Sequence, residues 1–475
     1  MRVRKTKIVA TLGPASREVK VLRQMIRAGL DVARINASHA SAESMCGEVE
    51  ALRQASEKEG KEVGIILDLM GPKLRIGDIK GGEAILRAGQ EFILTVKTVS
   101  GDSSGVGISD RKLPSLLRPG NTVLLDDGAI RLKVTGVSKT EVKCKVENSG
   151  ILGAHKGINI PGVKLHIRDM TEKDLQDMEL GIKLGVDWMA LSFIQSPEDV
   201  IRLRDALKQR KSDIPIIAKI EKPGAVTDIE AVVREADAVM VARGDLGVEM
   251  PLEDIPLLQK KIIEESAKQG KPVITATQML QSMITNPSPT RAEVTDVANA
   301  VFDGTDAVML SGETAIGDYP VQSIETMTRI ATKAESALPF SRWLEERRRW
   351  ISNGVVEAVC FAACELARQI GASAIVAPTE SGFTARQMSR FRPEQPILAP
   401  THKSVISRRL TLFWGVCPCS IGAKGLKDDV FSSSRKVAKK QGYLQPGDTV
   451  VMTAGLKGRG EKGKPTTNTI HCIGG

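Results

Sequence analysis

The sequence predicts an α/β protein: a closed (β/α)8 barrel with a small inserted β-barrel and a C-terminal α/β unit. Three observations carry this. Eight short apolar runs recur along the chain, amphipathic stretches separate most of them, and the rhythm breaks twice. The runs cover residues 7–12, 30–35, 63–68, 187–193, 214–220, 237–243, 272–275 and 306–310. Each is rich in Val, Ile, Ala or Leu without strict alternation, the pattern of strands buried on both faces. Between them, stretches such as 197–208 and 258–268 repeat apolar residues at helical spacing. Eight strand–helix units fit a closed parallel barrel whose functional loops lie at the carboxyl ends of its strands. An open doubly wound sheet is the second choice, and it does not need eight units.

The first break, from about Gly71 to Arg168, is rich in Gly and Val. It carries the turn Asp126-Asp127-Gly128 among short β-like runs at 91–95, 122–125 and 141–146. It reads as a small all-β unit inserted in a barrel loop. The second break follows Pro339, where helices at 355–369 and 384–391 alternate with strands at 373–377, 396–399 and 448–454. The expected division is 1–70 with 169–338 for the barrel, 71–168 for the insertion and 339–475 for the C-terminal unit. A length of 475 residues, at about 150 per domain, agrees with three units.

Composition narrows the function. With 41% hydrophobic and 26% charged residues, the chain can build sizeable cores and is not disordered. Its apolar runs stop well short of the roughly 18 residues of a membrane helix. The basic start, followed by apolar residues 8–12 and then Gly13-Pro14, reads as a first buried strand and not as a secretory leader. Seven cysteines, an odd number in so long a chain, point to free thiols in a reducing, cytoplasmic setting. Lys and Arg number 67 against 57 Asp and Glu, a net charge of +10. Such an excess fits nucleic acid, a membrane surface or phosphate-bearing ligands. Only 4 Trp, 2 Tyr and 9 Phe are available for base stacking, which argues against a single-strand binder.

Chemistry gathers at the strand ends. The second run ends Arg34-Ile-Asn-Ala-Ser-His39, the third Asp68-Leu-Met-Gly-Pro-Lys-Leu-Arg75, and the fifth Lys219-Ile-Glu221. The sixth ends Arg243-Gly-Asp-Leu-Gly247, the seventh Thr275-Ala-Thr-Gln-Met279 and the eighth Ser311-Gly-Glu-Thr314. One charged strand end is ordinary and solvated; six on one rim make a site. Lys219 and Glu221, two apart on a strand, share a face. Glu221 and Asp245 offer two hard oxygen ligands of the kind that hold a Mg²⁺ together with waters and substrate oxygens. Lys219 beside them brings positive charge to a developing anion, and Gly244 lets the backbone approach a carboxylate. Arg34 and Arg75 add phosphate-binding forks. Metal, lysine and arginines together suit phosphoryl transfer or enolate stabilisation.

The chain runs from Lys5-Thr-Lys-Ile-Val-Ala-Thr-Leu-Gly-Pro-Ala-Ser16 to Thr449-Val-Val-Met-Thr-Ala-Gly455. Its most specific stretches are Met240-Val-Ala-Arg-Gly-Asp-Leu-Gly-Val-Glu249, Thr275-Ala-Thr-Gln-Met-Leu280 and the run from Pro289 to Val301. In all of these it resembles the pyruvate kinase family. The resemblance implies a barrel, a lid formed by the insertion, a C-terminal regulatory domain and a homotetramer. It implies transfer of a phosphoryl group from phosphoenolpyruvate to ADP, giving ATP and pyruvate, with Mg²⁺ or Mn²⁺ as cofactor. By resemblance Arg34 and Lys219 hold the phosphoryl group and Glu221 and Asp245 bind the metal. Gly244, Asp245 and Thr277 match the substrate-carboxylate site, and Thr277, with Ser311 behind it, lies where the enolate is protonated. Asn36, Ala37, Ser38, His39, Arg75 and Lys156 match the nucleotide contacts. Neither nucleic acid nor a membrane is expected as a partner.

Many members of the family read Thr-Lys-Gly-Pro-Glu after the aspartate and hold a K⁺ with Asn, Ser, Asp and Thr oxygens. Here Leu69 takes the Thr position and Lys73 the Glu position. An ammonium there supplies the charge of the alkali ion, so catalysis is expected not to require K⁺. The alternative leaves Lys73 at the rim with K⁺ on Asn36, Ser38, Asp68 and the Leu69 carbonyl. Ala37, Ala40, Gln195, Ile316 and the lid return at 166–170 also depart from the common pattern without removing a reacting group. Thr379-Glu-Ser-Gly-Phe-Thr384 resembles the family's effector-phosphate loop. There Thr379, Ser381, Gly382 and Thr384 stand at a helix start suited to an anion. Residues 435–464 carry eight Lys or Arg against Asp448 and Glu461, over half of the net +10, which points to a phosphorylated effector. A merely solvated basic loop is the alternative.

Three matches are discounted. Gly458 to Lys464 has a Walker-type spacing but is followed by Pro465. Cys417-Pro-Cys419 is too close for a zinc site, and Cys360 with Cys364 reads as core. Two rival functions stand beside the main one. The first is another Mg²⁺-dependent barrel enzyme of enolate chemistry, a lyase or an aldolase with a Schiff base on Lys219. The second is a non-catalytic basic binding protein.

Overall fold

The computed structural model describes residues 3–71, 74–163, 170–351, 354–421, 430–456 and 467–473. Its first four barrel strands are Lys7–Thr11, Val32–Asn36, Gly64–Leu69 and Trp188–Leu191. Ile216–Ile220, Ala238–Ala242, Val273–Ala276 and Ala307–Leu310 complete a closed parallel barrel in which first and last strands pair. Each lies within, or one residue beyond, the apolar run that predicts it. Helix starts are written locally: Thr171 with Asp174, Ser196 with Asp199 and Thr290 with Glu293 form capping boxes.

Both strand faces are buried, in two different environments. Ile8, Ala33, Ile65, Met189, Ala218 and Val239 pack under the surrounding helices. Their neighbours Val9, Val32, Ile66, Trp188, Ile217 and Ala238 form the interior. That interior belongs to the same apolar cluster as Phe391, Leu410, Leu412 and Phe413, with the Trp188 and Phe413 rings 6.1 Å apart. The C-terminal unit therefore closes the barrel floor. Polar ties cross the same boundary: Arg392 pairs with Asp306 at 2.8 Å, Arg408 with Asp187 at 2.8 Å, and Lys7 Nζ donates to the Val416 carbonyl at 2.6 Å.

After Leu69 the chain builds a separate β unit before returning as helix Glu172–Leu184. It contains a six-stranded sheet and a two-stranded ribbon, Glu83–Leu86 with Gly150–Gly153, around one core that includes Phe92, Leu125 and Leu132. The runs at 91–95, 122–125 and 141–146 are strands with those bounds. Asp126 and Asp127, with φ of 50° and 51°, make the tight turn before Ile130–Val137. Asp174 ties the root of the unit: its Oδ1 accepts from Gly71 N and its Oδ2 from Thr171 N, both at 3.0 Å.

The C-terminal sheet has the order Val416–Ser420, Ile397–Thr401, Ala374–Val376, Val450–Leu456, Thr467–Ile473, the last antiparallel. Its two outer strands are not among those expected from sequence. Pro418 sits in one of them, where an edge tolerates a missing N–H. Cys417 and Cys419 are buried in that strand, and Cys360 and Cys364 in helix Val355–Gln369, where burial pushes the Cys360 thiol up to about 12. Lys73, residues 166–169 of the lid return and the basic loop 457–464 lie outside the described residues.

Candidate active site

Strand periodicity places the polar groups. Two residues beyond the interior Val9, Val32, Ile66 and Ile217, on the same face, stand Thr11, Arg34, Asp68 and Lys219. The carboxyl ends of the strands thus carry a charged layer directly above an apolar one. Asp68, 1% exposed, is its hub. It accepts from Arg34 Nε at 2.7 Å and lies 3.3 Å from Lys219 Nζ. Arg34 also donates to Thr11 Oγ1 at 3.0 Å. Lys219 Nζ reaches Ser192 Oγ at 2.8 Å and Glu221 Oε1 at 2.8 Å. Ser192 Oγ in turn donates to the Leu69 carbonyl at 2.9 Å, and the Phe193 amide donates to Glu221 Oε2 at 2.7 Å.

The electrostatics follow from burial and neighbours. Burial would raise the Asp68 carboxyl, but Lys219 and Arg34 outweigh it and hold the group below the usual carboxylate range. Burial likewise opposes the Lys219 charge, yet Asp68 and Glu221 lift the ammonium to about 12. Burial pushes the Glu221 carboxyl up, and the pull of Lys219 does not offset it because Asp245 adds a like charge. Lys219 lies between two carboxylates, one of them shared with Arg34, while Glu221 has a single ammonium and faces a second anion.

Glu221 and Asp245 are therefore an oxygen pair in want of positive charge. Among the described residues no group of three or more His, Cys, Asp or Glu is arranged to hold a metal. Two carboxylates fit a hard divalent ion that completes its shell with waters or substrate oxygens. They do not supply the nitrogen and sulfur donors of a closed zinc site.

Above this layer a cavity of about 1250 Å³ opens between rim and insertion. Its walls include His39, Gly244, Asp245, Thr277 and Ser311 from the barrel and Asp127, Gly128 and Arg131 from the insertion. Thr277 stands out: its φ is 68° and that of Gln278 is 55°. A β-branched residue in this region is strained, a condition that clusters at functional sites. Its Oγ1 donates to the Ala276 carbonyl at 2.6 Å and accepts from the Gly244 amide at 2.8 Å. A second cavity of about 820 Å³ lies at the junction of barrel and C-terminal unit, and two of the ions lining it, Arg4 and Asp31, are paired at 2.6 Å.

The remaining expected residues fall into groups. Asn36 ends the second strand and Ala37, Ser38 and His39 follow it, with Asn36 Oδ1 accepting from Ser38 N at 3.2 Å. Arg75 and Lys156 lie together at the base of the insertion, the former donating to the His155 carbonyl at 3.0 Å and the latter pairing with Asp126 at 3.0 Å. Thr379 and Gly382 form the turn before helix Phe383–Arg390, the Gly382 amide donating to Thr379 Oγ1 at 2.8 Å. Ser381 is exposed in the same turn, and Thr384 is half-buried in the first turn of the helix. Thr11 and Ser192 were not foreseen, although the two-residue step beyond Val9 and Ala190 would have pointed to both.

A rim that concentrates buried ions under an open cavity, above a floor that needs none of them, defines a (β/α)8-barrel enzyme acting on anions. Family models for the pyruvate kinase barrel domain and the pyruvate kinase alpha/beta domain match residues 3–324 and 357–473. The chain is 43% identical over 475 residues to a pyruvate kinase of Bacillus licheniformis, covering 99% of this chain and 81% of that one. It is 41% identical over 456 residues to a pyruvate kinase of Clostridium acetobutylicum, covering 96% of each. The crystal structure of a pyruvate kinase from Cryptosporidium parvum matches with a TM-score of 0.93 at 36% identity, over 98% of this chain and 96% of the other. The chain belongs to the pyruvate kinase family and is a phosphotransferase.

Proposed function

We propose that the protein transfers the phosphoryl group of phosphoenolpyruvate to ADP in the cavity between rim and lid. The bond from phosphorus to the enol oxygen breaks as a bond to the terminal ADP oxygen forms. The enolate left behind takes a proton at its methylene carbon to give pyruvate. The observation that carries this reading is the Arg34–Asp68–Lys219–Glu221 cluster, which holds two permanent cations on rigid strand ends facing the cavity side of the barrel. Arg34 and Lys219 neutralise the phosphoryl oxygens in transit. Gly244 and Asp245 orient the substrate carboxylate, and Thr277, with Ser311, stands by the carbon that is protonated. Asn36, Ala37, Ser38, His39, Arg75 and Lys156 serve the nucleotide, and the lid excludes water. A Mg²⁺ or Mn²⁺ held by Glu221 and Asp245 would supply charge to the phosphoryl and enolate oxygens when bound.

A Schiff-base aldolase is disfavoured because Lys219 is held protonated by two carboxylates, which removes its nucleophilic lone pair. The same reading divides the chain at residues 71, 168 and 339, makes the protein a cytoplasmic homotetramer, puts an anionic effector at Thr379, Ser381, Gly382 and Thr384, and makes catalysis independent of K⁺ through Lys73. A coupled assay with phosphoenolpyruvate and ADP tests the core reading. The wild-type chain makes ATP, and Lys219→Met makes none while remaining folded; ATP formation by that variant would refute it. Running the same assay in Na⁺ and in K⁺ tests the role of Lys73, and strong activation by K⁺ favours the alternative with K⁺ on Asn36, Ser38 and Asp68.

A further inference from the structure

Arg243 has no part in the reaction above, yet its contacts converge on a strained residue of the rim, Thr277. Its side chain is only 12% exposed. The guanidinium meets both oxygens of Asp296, at 2.6 and 2.7 Å. It donates to the carbonyl of Thr277 at 2.8 Å and to that of Ala276 at 3.3 Å. Asp296 belongs to helix Arg291–Phe302, so one side chain joins the end of the sixth strand, the end of the seventh and the helix beyond it. The next residue, Gly244, holds the Thr277 hydroxyl through its amide at 2.8 Å. Thr277 is thus gripped at carbonyl and hydroxyl by two consecutive residues.

Thr277 needs that grip. Two successive non-glycine residues with φ of 68° and 55° do not hold this conformation by local preference. A planar fork can serve a carboxylate and neighbouring carbonyls at once; an ammonium on a flexible stem cannot reproduce its geometry.

We propose that Arg243, braced by Asp296, is the positioning residue that holds Thr277 in the left-handed conformation and so sets its hydroxyl against the Gly244 amide at the carboxylate end of the cavity. The functional part rests on the reading of Thr277 as neighbour to the protonated carbon. Without the clamp Thr277 relaxes to negative φ and its hydroxyl turns away, while Arg34 and Lys219, on other strands, keep their places.

The test compares full-length Arg243→Lys, Thr277→Ala, their double variant and Asp296→Asn. The readouts are pyruvate formation and solvent hydrogen exchange at the pyruvate methyl, which reports the protonation step in reverse. Arg243→Lys is expected to lower both by about 30-fold with the KM for phosphoenolpyruvate within about threefold of wild type. On the Thr277→Ala background the same change costs less than about threefold, because the clamp then has no hydroxyl to place. Equal cost on both backgrounds, or methyl exchange within about twofold of wild type, overturns the proposal. If Arg243→Lys fails to fold, Asp296→Asn carries the comparison with an expected loss of about tenfold. A crystal structure of Asp296→Asn decides the clamp apart from the reaction: a negative φ at Thr277 supports it, and an unchanged left-handed Thr277 with Arg243 displaced refutes it. A wild-type chain that makes no ATP would refute the reading of the site and leave the crystal structure to judge the clamp.

Discussion

Ser192 carries no charge, yet it fixes the charge that matters most. Its hydroxyl accepts from Lys219 Nζ at 2.8 Å and donates to the Leu69 carbonyl at 2.9 Å, holding the ammonium between Asp68 and Glu221. Ser192→Ala is expected to lower kcat about tenfold through misplacement of Lys219, with little change in melting temperature; steady-state kinetics beside a thermal melt measure both. Arg34, Asp68, Lys219 and Glu221 were legible in the sequence because charge at a strand end is conspicuous. Thr11 and Ser192 were not, because a hydroxyl there is common and only its register over an interior residue marks it. The role proposed for Arg243 was illegible for another reason: it depends on the φ of Thr277, 34 positions away in the chain. Asp31 gives a pH prediction. Burial would raise its carboxyl, but Arg4, Lys61 and Lys7 hold it far below the ordinary range. A depressed folded-state value stabilises the protein above the unfolded carboxyl's range, near pH 4, and that stability is lost as pH falls. The wild-type melting temperature should fall progressively as pH drops below about 5 and go on falling below about pH 3, and Asp31→Asn should start lower at neutral pH and fall less over that range.

The insertion is an element held by a latch. Glu249 Oε1, at the end of helix Arg243–Glu249, accepts from Asn159 Nδ2 of the insertion at 2.7 Å and from Lys222 Nζ of the barrel at 2.5 Å. Glu249→Ala removes the shared acceptor and lets the insertion swing from the rim. The KM for ADP should rise about fivefold while that for phosphoenolpyruvate stays within about twofold, since two of the groups assigned to the nucleotide, Arg75 and Lys156, lie at the base of the insertion. Equal changes in both constants would count against a nucleotide role for Arg75 and Lys156. Elements differ in legibility for a physical reason. Barrel strands bury both faces and read as apolar runs, and Glu141–Val146 alternates cleanly because one face is wet. Val416–Ser420 and Thr467–Ile473 are the outer strands of their sheet, bonded to a neighbour on one side only, and their mixed composition leaves no run to recognise.

At the scale of the molecule, barrel and C-terminal unit share a core. Three units were legible from length and rhythm, but the shared floor was not, because Lys7 and Val416 are 409 residues apart and no local pattern joins them. Arg392, 2% exposed, meets Asp306 through both terminal guanidinium nitrogens at 2.8 Å, and Asp306 also accepts the Val273 amide at 3.0 Å. Asp306→Ala leaves that guanidinium buried without its counter-ion and is expected to cost about 3–5 kcal/mol, measured as a fall in the urea midpoint. In wild type, barrel and C-terminal probes should report one coincident transition; two separated transitions would contradict a common floor.

The root of the insertion has a consequence for how such a molecule can be rebuilt. Outgoing and returning chain meet at one carboxylate, Asp174, which receives Gly71 on one side and Thr171 on the other. Beneath that point the third and fourth barrel strands pair directly, Ile66 beside Trp188 and Asp68 beside Ala190, as if nothing lay between them. The insertion is a pendant on a closed ring. Any module whose own ends lie as close together could hang from the same hook, so the cover of the rim can be exchanged while the barrel below stays whole.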